Sequence, residues 1–501
     1  MSSVQKPFGH VAAMVMAVAL SACGGSGSNS SATDATSDGG ATVKQAVTHD
    51  QIHAQSSSGV ILVPNDVGIA QTFTTAGSID TTNPFFQAFG NGRSCSSCHD
   101  INEGWSITPG TLLTRFNATN GTDPIFNLVD GTNSPLLPYT TIAQKLAASS
   151  MLLNKGLIRV GLPIPTGAEF ELVAVDDPYG FASAAELSLF RRPLPTTNLN
   201  FISTVMWDAR ETFTDDDFNR CIIEAFSLEC FQRINFDLAD QSNSAVKGHA
   251  QFAAGLTTTQ QNQIVNFEKT LFTAQVSDNL AGDLTSNGAT GGAVSLSQNN
   301  AYFGINDLFL GDYRTGNNFN PKVMTVYNRW QNFSGAQLPP SVVSARLSIA
   351  RGEALFNSKP INITGVAGIN DDMDLPVLKG TCSSCHDTPN SGTHSVPLLV
   401  NVGVADVSRR TPDMPLYTLK NISTGATIQI MDPGHAMQTG KWKDIGRVKV
   451  PSLRGIETRS PYFQNGSETD LSAIINFYDK RFNIGFTPQE VTDLAAFLRV
   501  L

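Results

Sequence analysis

Two short motifs in this chain of 501 residues place two cysteines and a histidine close together. They are Cys95-Ser96-Ser97-Cys98-His99 and Cys382-Ser383-Ser384-Cys385-His386. Two thiols at this spacing can form thioethers with the vinyl groups on one edge of a haem, while the adjacent imidazole reaches the iron. A structural zinc site would need further Cys or His ligands nearby, and none follows His99 before Cys221. We therefore predict two covalently bound haem c groups.

The ligand opposite each histidine decides what a haem can do, because peroxide or oxygen needs an open position on the iron. Between His99 and Trp207 there is no other histidine, and the methionines are Met151 and Met206. We therefore predict that the first haem is five-coordinate and accessible to substrate. The candidate sixth ligands of the second haem are His394, Met414, Met431, His435, Met437, Tyr462 and Tyr478. Tyr478 shares a helical stripe with Leu471, and periodicity alone favours an ordinary core tyrosine.

Helices must position these motifs, and three are predicted from apolar periodicity. One covers residues 259–276, a second opens the C-terminal unit at 344–356, and a third closes the chain after the capping box that begins at Thr487. A haem motif between an opening and a closing helix is the cytochrome c plan. We therefore predict a mainly α fold with two cytochrome c-like haem domains and long loops. The predicted divisions are residues 59–280 for the N-terminal haem domain, 281–340 for a linker, and 341–501 for the C-terminal haem domain.

The N-terminus has the features of an exported lipoprotein. Residues 1–22 contain Lys6 and then an apolar stretch, and they end in Leu20-Ser21-Ala22, directly before Cys23. This junction resembles a bacterial lipobox with Cys23 as the lipidated residue, although a plain cleaved signal would also fit. Residues 23–58 are predicted to be a flexible tether. We expect a periplasmic protein, anchored to the outer membrane only through Cys23.

The net charge limits the possible binding partners, and the two remaining cysteines predict a disulfide. The formal net charge is −10 and no run of basic residues occurs, so nucleic acid is not expected as a partner. Cys221 and Cys230 are close in sequence, and in an oxidising compartment a disulfide between them is predicted over two free thiols.

Several segments outside the haem motifs resemble the bacterial di-haem cytochrome c peroxidase and MauG superfamily. The similar segments are Lys449-Val450-Pro451-Ser452-Leu453-Arg454-Gly455, Ser460-Pro461-Tyr462-Phe463-Gln464-Asn465-Gly466 and Val205-Met206-Trp207-Asp208-Ala209-Arg210. With the closing helix, the resemblance covers most of the chain from about Phe86 onward.

The resemblance implies roles for individual residues. His99 would be the proximal ligand of the peroxidatic haem, and His386 that of the electron-transfer haem. Trp207 falls on the tryptophan that relays electrons between the two haems. Tyr478 falls where the peroxidases have an axial Met and the MauG branch has an axial Tyr, which favours the Tyr-ligated branch and a lower potential for the second haem.

The chain also departs from that family. The peroxidases carry a Gln and a Glu over the open haem, and the matching stretch here is residues 240–249. Lys247 aligns near the carboxylate, so Asp240, Asn243 or His249 could line the pocket, with His249 the best acid–base candidate, although a surface role for His249 fits the sequence equally well. The family's calcium site loses its Asn, which aligns with Pro193, so calcium is not expected.

These features predict a haem-dependent oxidoreductase that reduces hydrogen peroxide at the first haem. Electrons would come from a small c-type cytochrome or another periplasmic donor and pass through the second haem and Trp207. The alternatives are an oxygenase like the related rubber oxygenases, a non-catalytic di-haem electron carrier, and MauG-like oxidation of side chains on a partner protein.

Overall fold

Short strands and helices alternate through the protein, whose computed structural model describes residues 59–213 and 233–501. The α-helices there are α1 Pro109–Thr119, α2 Ile142–Ala148, α3 Ser150–Lys155, α4 Ile234–Gly248, α5 Thr258–Lys269, α6 Gly292–Leu296, α7 Pro340–Ser358, α8 Ala436–Thr439, α9 Leu471–Phe482 and α10 Pro488–Leu498. The strands are β1 Val60–Asn65, β2 Gly68–Thr74, β3 Ile158–Leu162, β4 Phe170–Asp176, β5 Leu187–Arg191, β6 Leu271–Asp278, β7 Gly282–Asp283, β8 Ile361–Ile363, β9 Leu378–Gly380, β10 Leu399–Val400, β11 Leu416–Asn421, β12 Thr427–Ile430 and β13 Val448–Lys449.

The strands form several small antiparallel sheets. The largest has the order β1-β2-β6-β7, and a second sheet has the order β12-β11-β4. Strands β3 and β5, β8 and β9, and β10 and β13 form three further pairs. The prediction of a mainly α fold with two cytochrome c-like domains is therefore wrong, and the fold is mixed α/β. Most strands have only two to six residues, which is too short for an alternating pattern to stand out beside the longer helices.

The helix predicted over residues 259–276 is shorter in the structure. Helix α5 ends at Lys269, and residues 271–278 form strand β6. Phe272 of β6 lies opposite Phe73 of β2, so pairing with a distant strand overrides the apolar stripe that predicted a helix to residue 276.

The C-terminal helices pack as the sequence predicts. Helix α7 contains the predicted opening helix, and α10 begins with the predicted capping box of Thr487 and Glu490. The two helices cross closely at Gly352, where an added Cβ would lie 2.0 Å from the carbonyl oxygen of Asp493. Phe356 and Phe497 continue this contact into a core that also contains Tyr327.

The predicted division at residues 281–340 remains a prediction. Strand β4 comes from the predicted N-terminal domain and β11 from the predicted C-terminal domain, and the two pair directly. None of the described helices is both long and apolar enough to span a membrane. The predicted signal, lipobox, tether and the Cys221–Cys230 disulfide lie outside the described residues.

Candidate active site

The first motif forms a short 3₁₀ turn that presents His99 beside its two thiols. The turn covers Cys95–Ser97, and the hydroxyl of Ser97 accepts a hydrogen bond from the backbone N–H of Ser94 at 3.0 Å. The Nδ1–H of His99 donates to the carbonyl of Trp105 at 3.1 Å, and burial lowers the pKa of His99 to about 4. The imidazole is therefore neutral, with the Nε2 lone pair available to a metal.

The second motif is built in the same way. Its 3₁₀ turn covers Cys382–Ser384, and the hydroxyl of Ser384 accepts from the N–H of Thr381 at 3.0 Å. The Nδ1–H of His386 donates to the carbonyl of Gly392 at 2.6 Å, and burial lowers the pKa of His386 to about 4. Both histidines thus have the orientation and protonation state of a proximal iron ligand.

Each motif opens into its own cavity. The cavities enclose about 1440 Å³ and 1600 Å³ of empty space, counted to their open mouths, and so are similar in size. The second cavity has mostly aliphatic and aromatic walls, with Cys382, Cys385 and His386 on one side. A largely apolar cleft with a few convergent polar groups is typical of a cofactor site. The residues present therefore fit a haem at each motif.

Tyr478 lines the second cavity together with His386. Burial and the nearby thiols of Cys385 and Cys382 raise its pKa, and its ring stacks on Phe482 with centroids 6.3 Å apart. Of the other candidate sixth ligands, Tyr462 also lines this cavity. The remaining candidates pack in other clusters or bond to backbone carbonyls, namely Met414, Met431, Met437, His394 and His435.

A wall shared by the two cavities contains Trp207. Its indole N–H donates to the carbonyl of Arg192 at 2.8 Å, and its own carbonyl accepts from the backbone N–H of Lys449 at 2.9 Å. Lys449 lines both cavities too, and burial lowers its pKa to about 7. Pro193 lies in the same wall. The wall therefore places an aromatic ring and a buried amine between the two candidate haem sites.

Three polar residues meet in the first cavity: Arg93, Asp130 and His249. The carboxylate of Asp130 accepts a short hydrogen bond from His249 Nδ1 and another from Arg93. Burial acts to raise the pKa of Asp130, but His249 and Arg93 outweigh this effect and lower it. An ionised Asp130 fixes the histidine ring with Nδ1 as its donor, which leaves Nε2 as the atom that can exchange a proton.

Of these three residues, the sequence predicts His249 but not Asp130 or Arg93. Arg93 lies two residues before the first motif, whereas no local pattern marks Asp130. A third residue that the sequence does not predict is Glu268, at the end of α5. It lines the same cavity, and burial raises its pKa to about 8.

The structure separates two other residues of the predicted distal stretch from this cavity. Asn243 accepts the backbone N–H of Leu256 at 2.9 Å through its side-chain oxygen, and neither it nor Lys247 is among the described residues that line the cavity. The residues of α4 that line it are Leu238, Gln241, Ser242, Ala245 and Val246. A catalytic role for Asn243 remains a prediction.

Comparison with known proteins gives relatives over part of the chain. No protein-family model matches it. It is 30% identical over 142 residues to "Cytochrome-c peroxidase IdrP1" of Denitromonas iodatirespirans, covering 25% of this chain and 37% of the relative. It is 27% identical over 144 residues to "Cytochrome-c peroxidase IdrP2" of the same organism, covering 26% and 38%. It is 28% identical over 171 residues to "Cytochrome-c peroxidase IdrP1" of Pseudomonas sp. (strain SCT), covering 30% and 39%.

The chain thus spans less than two fifths of the length of these relatives. Their shared name supports haem c as the cofactor and a haem oxidoreductase as the general class of this protein, in agreement with the two cavities. The chain is therefore similar to the cytochrome-c peroxidases.

Proposed function

We propose that this protein is a di-haem peroxidase that reduces hydrogen peroxide at the haem held by Cys95, Cys98 and His99. The observation that carries the proposal is the pair of similar cavities, each with its own Cys-Cys-His motif, on the two sides of Trp207. The haems supply the redox chemistry, and the protein supplies ligand choice, spacing and proton transfer.

His249 is the proton-transfer residue in this proposal. Cleavage of peroxide to water needs a proton moved from one oxygen to the other, and an imidazole that lines the cavity can transfer it. Asp130 positions the ring through Nδ1, and Arg93 holds Asp130 in place with further bonds from its guanidinium to the carbonyls of Pro124 and Ile125, both at 2.7 Å. These three residues form the proposed distal proton-transfer group.

Trp207 provides the path between the two sites. It lines both cavities, and its hydrogen bond to the Arg192 carbonyl fixes the plane of the indole. Electrons would enter at the site of His386 and leave through Trp207 towards the site of His99. The net charge of −10 favours a basic electron donor, such as a small c-type cytochrome.

Tyr478 is the proposed sixth ligand of the second haem, as in the MauG branch. It lines the same cavity as His386, and a phenolate oxygen there would stabilise the oxidised iron more than a thioether does. Export to the periplasm with a lipid anchor at Cys23 completes the proposal.

The first experiment is an absorption spectrum of the purified diferric protein before and after one equivalent of hydrogen peroxide, followed by turnover with a reduced c-type cytochrome. Rapid change in the Soret band and peroxide-dependent oxidation of the donor are expected. Unchanged spectra with peroxide and with carbon monoxide would show an electron carrier. A stable complex with O₂ and no peroxide turnover would favour an oxygenase.

A further inference from the structure

A buried group of three side chains lies behind the second haem motif, outside the two cavities. Asp307, Asp387 and His394 each offer a ligand atom, and these atoms all lie within 4.8 Å of one another. Each of the three residues is at most 2% exposed. Burying two carboxylates beside one imidazole is costly unless a positive species joins them.

The hydrogen bonds of His394 determine which ring nitrogen carries the proton. Its Nδ1 lies 2.9 Å from the carbonyl oxygen of Cys385 and 3.2 Å from a carboxylate oxygen of Asp387. Because a carbonyl oxygen can only accept, Nδ1 is the donor, and Nε2 of the neutral ring carries a lone pair. A metal-bound histidine shows this same pattern, in which the second nitrogen donates to a backbone carbonyl or a carboxylate.

The Nε2 atom of His394, which carries the lone pair, lies 3.9 Å from Oδ2 of Asp307. Neither Nε2 nor this Oδ2 atom has a hydrogen-bond partner among the described residues. The other oxygen of Asp307 is occupied, since it accepts the backbone N–H groups of Phe309 and Leu310 at 3.0 and 2.7 Å. Two facing lone pairs in a buried site need a proton or a metal cation between them.

We propose that Asp307, Asp387 and His394 bind one zinc ion. Ligand distances to zinc are about 2.0–2.2 Å, so two ligands of a tetrahedral ion lie roughly 3.4 Å apart, and the 3.9 Å between Asp307 Oδ2 and His394 Nε2 would shorten by about 0.5 Å on binding. The ion would neutralise both carboxylates. Calcium prefers six or more oxygen ligands, and this site offers an imidazole nitrogen and few oxygens. A water molecule would complete four-coordinate geometry.

The site joins the haem motif to a distant loop. Asp387 follows His386 directly, its backbone carbonyl accepts the side-chain amide of Asn306 at 3.0 Å, and its carboxylate accepts the N–H of Ser395 at 2.7 Å. A zinc ion here would act as a structural cross-link that fixes the backbone just after the proximal histidine.

The test is elemental analysis of the purified, haem-loaded full-length protein after dialysis in metal-free buffer. We expect about one zinc per chain, with iron measured in the same sample as a separate count of haem. Chelator-treated protein should regain the zinc when Zn²⁺ alone is added, with an increase in Tm. Another element at this stoichiometry would overturn the choice of zinc. No bound metal, and no Tm increase with Zn²⁺, would overturn the site and leave a shared proton in its place.

Variants locate the ion. Asp307→Asn and His394→Gln should lose the zinc and the Tm response while keeping their iron. Asp278→Asn is the control, because Asp278 is 3% exposed and its carboxylate accepts two backbone N–H groups at 2.9 and 2.8 Å, but it pairs with Arg499 at 3.0 Å and forms no cluster with a histidine among the described residues. Retention of zinc by Asp307→Asn, or its loss from Asp278→Asn, would refute the assignment. The measurements on the unaltered protein decide the matter if a variant does not fold.

Discussion

Replacement of His249 tests the proposed proton transfer directly. His249→Gln keeps a polar side chain of similar length, but an amide cannot exchange a proton near neutral pH. A positioned acid–base group typically contributes about 100-fold to 10,000-fold in rate. The side chain of His249 is 34% exposed, so water can replace part of its action, and we expect the lower end of this range. The expected loss in kcat/KM is therefore about 100-fold, which corresponds to about 2.7 kcal/mol.

The assay is steady-state oxidation of a reduced c-type cytochrome at limiting hydrogen peroxide. Lys247→Gln serves as the control, since Lys247 lies in the last turn of α4, two residues before His249, but not on the cavity. Both variants should keep two haems and an unchanged Soret maximum. A loss of less than about threefold in His249→Gln with intact haem content would refute His249 as the proton-transfer group. An equal loss of kcat/KM in Lys247→Gln would mean that the effect comes from disturbing the end of α4 and not from the imidazole.

Three further outcomes are expected. Tyr478→Phe should change the low-spin absorption and paramagnetic resonance signals of one haem only, and unchanged spectra would remove Tyr478 as a ligand. Arg191→Met should lower the free energy of unfolding in urea by about 3–5 kcal/mol, because it removes the cation that lies 2.6 and 2.7 Å from the buried carboxylates of Asp208 and Asp432 and leaves Asp208 only its weaker contact with Arg210 at 3.1 Å; a change below about 1 kcal/mol would contradict this. Glu268→Gln should remove a pH dependence of stability. Burial raises the pKa of Glu268 from 4.5 to about 8, so the folded state binds more protons than the unfolded state. The free energy of unfolding of the native protein should therefore fall by up to about 5 kcal/mol between about pH 4.5 and 8. Parallel pH profiles of the native protein and Glu268→Gln would refute it.

The parts of the site that can be predicted from the sequence are those formed by neighbouring residues in the chain. Each haem motif is complete within five residues, and the turn that holds Cys95 and Cys98 is formed by its own backbone and Ser94. Trp207 and His249 could be proposed only because the segments around them resemble the peroxidase and MauG superfamily, and the structure places both on the first cavity.

The remaining parts depend on contacts between distant segments. Asp130 reaches His249 across 119 positions of sequence, and no spacing rule predicts that contact. The strands were missed for the same reason, because β6 becomes a strand through its pairing with β2 rather than through its own pattern.

The sheet that contains β4 and β11 has a consequence for how the chain acquires its structure. Its contacts are very long in sequence, since Val175 of β4 pairs with Tyr417 of β11. During synthesis or export, β4 therefore waits with an unpaired edge until β11 emerges, which slows folding and exposes a template for aggregation. A fragment that ends before Leu416 would keep that edge open permanently, so the first haem motif is not expected to mature efficiently when produced alone.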